Sequence, residues 1–208
     1  MIVISHRGYW KTSDEKNSTV AFRRSFELGF GTETDVRDLD GALVISHDMP
    51  TRGAMGMTEF LALTGGKLPL ALNIKSSGLA EPLRKAMANY DRSAWFVFDM
   101  SIPDMRMHLK AGNPVFTRIS EVEQEPVLLD ECEGVWLDHF DREWFDIDFV
   151  NRLLDAGKRV CVVSSELHCR DYSDLWRLLQ PLAACDNIML CTDVPEKAQD
   201  FFGVQLND

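Results

Sequence analysis

Ile2-Val3-Ile4-Ser5-His6-Arg7-Gly8 and, further along, Gly31-Thr32-Glu33-Thr34-Asp35-Val36 decide how this chain is read. Each is a short run suited to a strand that carries reactive side chains. Ile2–Ser5 reads as a strand, so His6 and Arg7 sit where it opens into a loop. Side chains at i and i+2 of a strand share a face, so Glu33 and Asp35 project together. Two carboxylates that close repel unless a cation or proton intervenes, which makes a hard divalent metal the natural third party. Leu43-Val44-Ile45-Ser46 is another apolar run and delivers His47, followed by Asp48. A pair of imidazoles beside an oxygen-ligated metal suits hydrolysis of a phosphate ester. One accepts a proton from the attacking oxygen and the other donates one to the leaving oxygen.

Working outward, strand-like and helix-like segments alternate to the end of the chain. The spacing predicts strands at Ile2–Ser5, Thr32–Val36, Leu68–Ile74, Ala94–Phe98, Pro114–Arg118, Gly134–Leu137, Arg159–Val163 and Asn187–Cys191. A helix starting at Asn17-Ser18 runs to about Leu28, with Val20, Phe22, Phe26 and Leu28 facing inward. Further helices are expected near Leu79–Asn89, Ile102–Lys110, Asp146–Ala156, Tyr172–Leu182 and Glu196–Phe202. Gly29, Gly112 and Gly157 punctuate them. Ser120–Cys132 holds a short helix or a loop. Val44–Ser46 folds back beside the second strand. Eight strands joined by helical crossovers imply a parallel sheet, hence the α/β class and a single-domain (β/α)₈ TIM barrel. Reactive groups of such barrels cluster at the C-terminal strand ends. Those ends here carry His6, Glu33 with Asp35, Asn73 with Lys75, Asp99, Asp138 with His139, Glu166 and Asp193.

A chain of 208 residues that is 45% hydrophobic is the size of one globular domain. No apolar run approaches the roughly 20 residues that cross a bilayer, and the N-terminus lacks the basic start and cleavage site of a signal peptide. The five cysteines lack metal-ligand spacing, which suggests reduced thiols and a cytoplasmic protein. A net charge of −11 argues against a nucleic-acid partner. A membrane partner is not expected either, and oligomeric state is not legible.

The motifs His6-Arg7-Gly8, Asn17-Ser18-x-x-Ala21-Phe22, Glu33-x-Asp35-Val36, Asp40-Gly41 and His47-Asp48 together resemble the opening signature of the glycerophosphodiester phosphodiesterase family. Near the C-terminus Thr192-Asp193-Val194-Pro195 is similar to that family's Thr-Asp-x-Pro. The resemblance implies a TIM barrel that hydrolyses a small-molecule phosphodiester. His6 and His47 would be acid and base, in unassigned order, and Glu33 and Asp35 would ligate Mg²⁺ or Ca²⁺. Arg7 and Lys75, the cations beside that metal, would hold the phosphate oxygens. The nucleophile can be a neighbouring hydroxyl of the substrate, which gives a cyclic phosphate that water then opens.

Three departures stand out. The third strand of the family usually ends Glu-x-Lys, whereas this chain has Asn73-Ile74-Lys75. An amide oxygen still ligates a hard cation, with one negative charge fewer, and Asp48, Glu166 and Asp193 are candidates to compensate. The insertion that commonly follows His-Asp in the family, and shapes its pocket, is missing between Met49 and Leu72. The seventh strand end carries Glu166, His168 and Arg170 in place of a tryptophan, a cluster suited to an anionic or sugar group of the substrate. Two further readings stay open: a hydrolase or lyase of the same fold acting on another phosphate-bearing compound, and a non-catalytic binding module whose metal site has decayed.

Overall fold

The structure, a computed structural model, describes residues 1–203. Among them eight parallel strands form a barrel, as the alternation implies. They are β1 (Ile2–His6), β2 (Gly31–Leu39), β4 (Leu70–Ile74), β5 (Trp95–Phe98), β6 (Phe116–Ile119), β7 (Gly134–Leu137), β8 (Arg159–Val163) and β9 (Ile188–Thr192). Around the wall the order is β5-β4-β2-β1-β9-β8-β7-β6. A parallel bridge from Val97 to Val115 nearly closes the ring between β5 and β6. The ninth strand, β3 (Ala42–Ile45), pairs antiparallel with β2. Asp40 and Gly41 turn the chain between them with φ of 50° and 82°, the left-handed pair that a two-residue hairpin requires.

The wall has two faces with different neighbours. Ile4, Ala71, Phe96, Phe98, Phe116, Trp136, Cys161, Val163, Met189 and Cys191 point inward and fill the lumen as one apolar cluster. Phe96 stacks on Phe116 and Phe98 on Trp136, each pair with ring centroids 3.8 Å apart. Gly134 is what admits Phe116: a Cβ there would stand 2.5 Å from its ring. The outward faces pack under the helices in two larger clusters. A lumen plugged with aromatic rings is a floor, so polar residues one step further along each strand open only toward the C-terminal rim.

The helices are α1 (Thr19–Glu27), α2 (Met57–Thr64), α3 (Ala80–Ala86), α4 (Ile102–Ala111), α5 (Ile147–Asp155), α6 (Ser173–Leu179) and α7 (Pro195–Phe202). None is long and apolar enough to cross a membrane. Two expectations change. First, α1 begins one residue after Ser18, whose hydroxyl accepts from the Ala21 amide. The buried face is Ala21, Phe22 and Ser25, so Val20 points to solvent at 53% exposure. Second, α2 occupies a stretch where the sequence predicts no helix. It packs Phe60 against Phe22 of α1 with centroids 4.7 Å apart, and thereby supplies the crossover before β4. Between β6 and β7 there is no α-helix, only a single 3₁₀ turn at Leu129–Glu131.

Candidate active site

β1 and β2 bring the first reactive group together, with His6 opposite Glu33 in the parallel register. One strand over, Asp35 lies opposite Asn73 of β4. Ile4 and Ala71 lie in the lumen, and His6 and Asn73 each follow by two residues, so both continue the inward row. Glu33, opposite Ala71 and His6, joins that row, and so does Asp35. Burial is severe: Glu33 is 2% exposed, Asp35 0% and Asn73 7%.

Charge placement explains how two carboxylates survive there. Asp35 meets Arg7 Nε at 3.1 Å and Lys75 Nζ at 3.5 Å. It also accepts from the Asn17 side-chain amide at 2.8 Å. Among the described residues, the Arg7 backbone N–H, at 3.1 Å, is the one hydrogen-bond donor to the Glu33 side chain. Loss of water and then the neighbouring Asp35 charge push its carboxyl well above the usual carboxylate range. Asp35 Oδ1 and Asn73 Oδ1 are buried without a hydrogen-bond partner. Three inward oxygen donors on adjacent strands, two of them without a hydrogen bond although Lys75 pairs with Asp35 Oδ1, fit a hard divalent cation such as Mg²⁺ or Ca²⁺. The third donor is an amide, and among the described residues no cluster of three or more His, Cys, Asp or Glu is arranged to hold a metal.

His6 is aimed by its neighbour. Its Nδ1 lies 2.8 Å from Asp193 Oδ1, a contact in which the carboxylate accepts and Nδ1 carries the proton. Nε2 then faces the buried pair, 3.9 Å from Glu33 Oε2. Asp193 is held in turn: its backbone N–H donates to Glu166 Oε1 at 3.1 Å, and the Ser164 and Thr192 hydroxyls donate to the same carboxylate. His47, just past β3, is more exposed, and its Nδ1 lies 2.9 Å from Asp48 Oδ1. None of the three carboxylates expected to compensate for Asn73 turns toward it. Asp193 holds His6, Glu166 holds the end of β9, and Asp48 stands by His47 in solvent.

The turn after β1 depends on backbone shape. Arg7 and Gly8 both have positive φ, 56° and 78°, and the Gly8 amide donates to Thr32 Oγ1 at 3.0 Å. A Cβ on Gly8 would meet the Ala21 Cβ at 2.8 Å and its backbone carbon at 2.9 Å. Gly8→Ala therefore lowers stability by about 1–3 kcal/mol and displaces His6 and Arg7. Denaturant melts and turnover measured together will show both losses.

His168 and Glu166 do not reach the carboxylate pair through any hydrogen bond. His168 Nε2 lies 2.7 Å from Asp138 Oδ1 at the end of β7, across the rim, and Arg118 links that aspartate to Asp99. In the sequence Asn17 is part of a motif and marks the start of a helix. Its amide bonds both Asp35 and Thr34 Oγ1, so it belongs to the site. Two cavities of about 710 Å³ flank the centre. One is lined by Arg7, Asn17 and His47, the other by Lys75, Asp99 and Arg118. Arg7 and Lys75 face different cavities but share Asp35, so the centre lies between the two.

No protein-family model matches this chain, and no curated protein matches it. Solved structures do. A glycerophosphodiester phosphodiesterase from Parabacteroides distasonis covers 97% of this chain and 96% of its own at 19% identity, with a TM-score of 0.68. One from Agrobacterium tumefaciens covers 98% and 100% at 14% identity, with a TM-score of 0.71. A Ca²⁺-dependent phosphatidylinositol-specific phospholipase C from Streptomyces antibioticus covers 97% and 95% at 12% identity and a TM-score of 0.53. At these identities the agreement establishes a shared barrel fold along almost the whole chain.

Proposed function

We propose that this chain is a metal-dependent phosphodiesterase, a short and divergent relative of the glycerophosphodiester phosphodiesterases. The observation that carries the proposal is the constellation at the rim. A histidine is fixed in one tautomer by Asp193 and faces a buried Glu33–Asp35 pair, whose two cations open onto separate cavities. A phosphodiester has two organic arms, and a centre between two cavities gives each arm a place. A phosphate monoester would leave one of them unfilled.

Glu33, Asp35 and Asn73 would hold the cation, which supplies neutralisation of charge on the phosphate oxygens when bound. Arg7 meets Asp35 through Nε, which leaves its terminal amino groups to clasp a non-bridging oxygen. Lys75 approaches from the other cavity. His6 is the base, because the proton on Nδ1 leaves Nε2 with a lone pair directed at the site. Asn17 and Lys75 keep Asp35 from turning away.

His47 is the acid. Its partly exposed position lets it recover a proton from solvent before donating one to the leaving alkoxide. Acid assistance matters most when the leaving group is a poor one. His47→Gln therefore slows an alkyl phosphodiester by about 10²–10⁴-fold but slows bis(p-nitrophenyl) phosphate far less. Equal losses on both esters would reassign the residue.

The whole reading is tested by assaying chelator-stripped protein on bis(p-nitrophenyl) phosphate and the corresponding monoester, with Mg²⁺, Ca²⁺ or Mn²⁺ added back. Diester hydrolysis restored by one of these ions is the expected result. A preference for the monoester would exchange this reading for a phosphatase of the same fold. Inactivity with every ion, together with no cation uptake in calorimetry, would favour a binding module.

A further inference from the structure

We infer that Asp99 is a positioning residue for the cation site: it turns the Asn73 amide so that oxygen, not nitrogen, faces Asp35. The inference rests on the metal-dependent reading above and deepens it.

Asn73 continues the inward row of β4, and Asp99 lies just past Phe98 at the end of β5, where its positive φ breaks the strand's alternation. The two strands are neighbours that pair in parallel register from Leu70–Trp95 to Asn73–Phe98. The Asn73 Nδ2 group donates to Asp99 Oδ2 at 3.3 Å. An ionised carboxylate only accepts, so the NH₂ end of the amide is the end that can meet it. The carbonyl end is thereby sent the other way, where Asn73 Oδ1 lies buried without a donor. A buried acceptor left unpaired is unfavourable unless something outside the protein satisfies it, and a cation shared with Asp35 and Glu33 does so.

Asp99 is itself held in place. Its other oxygen takes the Arg118 Nε–H at 2.9 Å, and its backbone sits at φ 66°, a conformation that aspartate and asparagine tolerate better than most residues. The same geometry accounts for the departure at position 73. A carboxylate there would face the Asp99 carboxylate at hydrogen-bond distance, beside Glu33 and Asp35. An amide at 73 and a carboxylate at 99 are a matched pair, with Asp99 supplying the orientation that a symmetric carboxylate would not need.

The test is calorimetric titration of chelator-stripped protein with Ca²⁺ and Mg²⁺. Asp99→Gly removes the acceptor and relaxes the positive φ, and it should weaken cation affinity by about 10–100-fold, as loss of an outer-shell partner does. Asp99→Asn keeps an acceptor oxygen and tolerates the same backbone, so its affinity should stay within about threefold of the parent. Both variants deprive Arg118 of the Asp99 charge and leave it Asp138 and Glu123. Equal losses in the two would therefore assign Asp99 to holding Arg118 and overturn the inference, as would an unchanged affinity in Asp99→Gly.

If Asp99→Gly does not fold, Asn73→Asp decides. Alone it should gain little affinity against the facing Asp99, whereas Asn73→Asp with Asp99→Asn should gain about tenfold or more. Equal gains would overturn the inference. A parent protein that takes up neither ion defeats the metal-dependent reading itself, which is distinguishable from a failure confined to Asp99.

Discussion

His6→Asn lowers kcat on bis(p-nitrophenyl) phosphate by about 10²–10⁴-fold, the range for loss of a positioned base, with little change in melting temperature. Asparagine suits the test because its Nδ2 can stand where the imidazole Nδ1 stood and still donate to Asp193. The rim contact from β1 to the end of β9 then survives, and what disappears is the lone pair at Nε2. Asp193→Asn should also lower kcat, by a smaller factor and with KM nearly unchanged, because an amide can donate as well as accept and so no longer fixes the imidazole tautomer as a carboxylate does. Asp193 acts on the reaction only through His6. The double variant should therefore be no slower than His6→Asn alone, since residues that work as a unit do not add. Additive losses would show that Asp193 touches the substrate independently. Retention of most activity in His6→Asn would remove His6 from the chemistry.

The barrel was legible because its strands are buried on both faces. Val160-Cys161-Val162-Val163 and Ile188-Met189-Leu190-Cys191 read as unbroken apolar runs, which marks a parallel sheet covered by helices. Boundaries were less so. Pro69 has no N–H to give a ladder, and β4 starts after it, at Leu70 rather than Leu68. Pro181 likewise cuts α6 at Leu179 and leaves a 3₁₀ turn beyond it. The helix α2 is hidden in the sequence because its first turn follows a glycine rather than a side-chain cap. Of the site, the shared face of Glu33 and Asp35 followed from strand periodicity, and the placement of His6 and Asn73 at strand ends followed from the apolar runs before them. The partners of those residues did not. That Asp193 belongs to His6, Asn17 to Asp35 and Asp99 to Asn73 depends on how far each side chain reaches across the rim and on the loop that carries Asn17, which strand order alone does not fix.

Glu33→Gln should abolish the response to divalent cations and at the same time make the cation-free protein more stable. The buried Glu33 carboxyl has its pKa raised in the fold, by loss of water first and by the Asp35 charge second. A group shifted in that direction contributes stability that is complete below the ordinary carboxylate value of 4.5 and is lost as pH rises through the folded-state value. At neutral pH the cation-free parent therefore bears the cost of this group, either as a buried charge or as a carboxyl kept protonated against the solution.

Glutamine keeps the shape and can still accept the Arg7 backbone N–H, but it has no charge to bury. The gain expected is about 0.5–2 kcal/mol, the usual return on relieving a functional site, with a melting shift of roughly 2–4 °C for each kcal/mol in a chain of this size. Melting curves at a series of pH values should show the parent losing stability above the carboxylate range while Glu33→Gln loses less. Adding Ca²⁺ or Mg²⁺ should reverse the order, because an ion that binds only the folded parent raises its melting temperature with concentration and the variant has lost a charged ligand. A cation-free Glu33→Gln protein less stable than the parent would mean that Arg7 and Lys75 already neutralise Glu33 as well as Asp35. The buried pair would then be a finished ion-pair network rather than a site waiting for a metal.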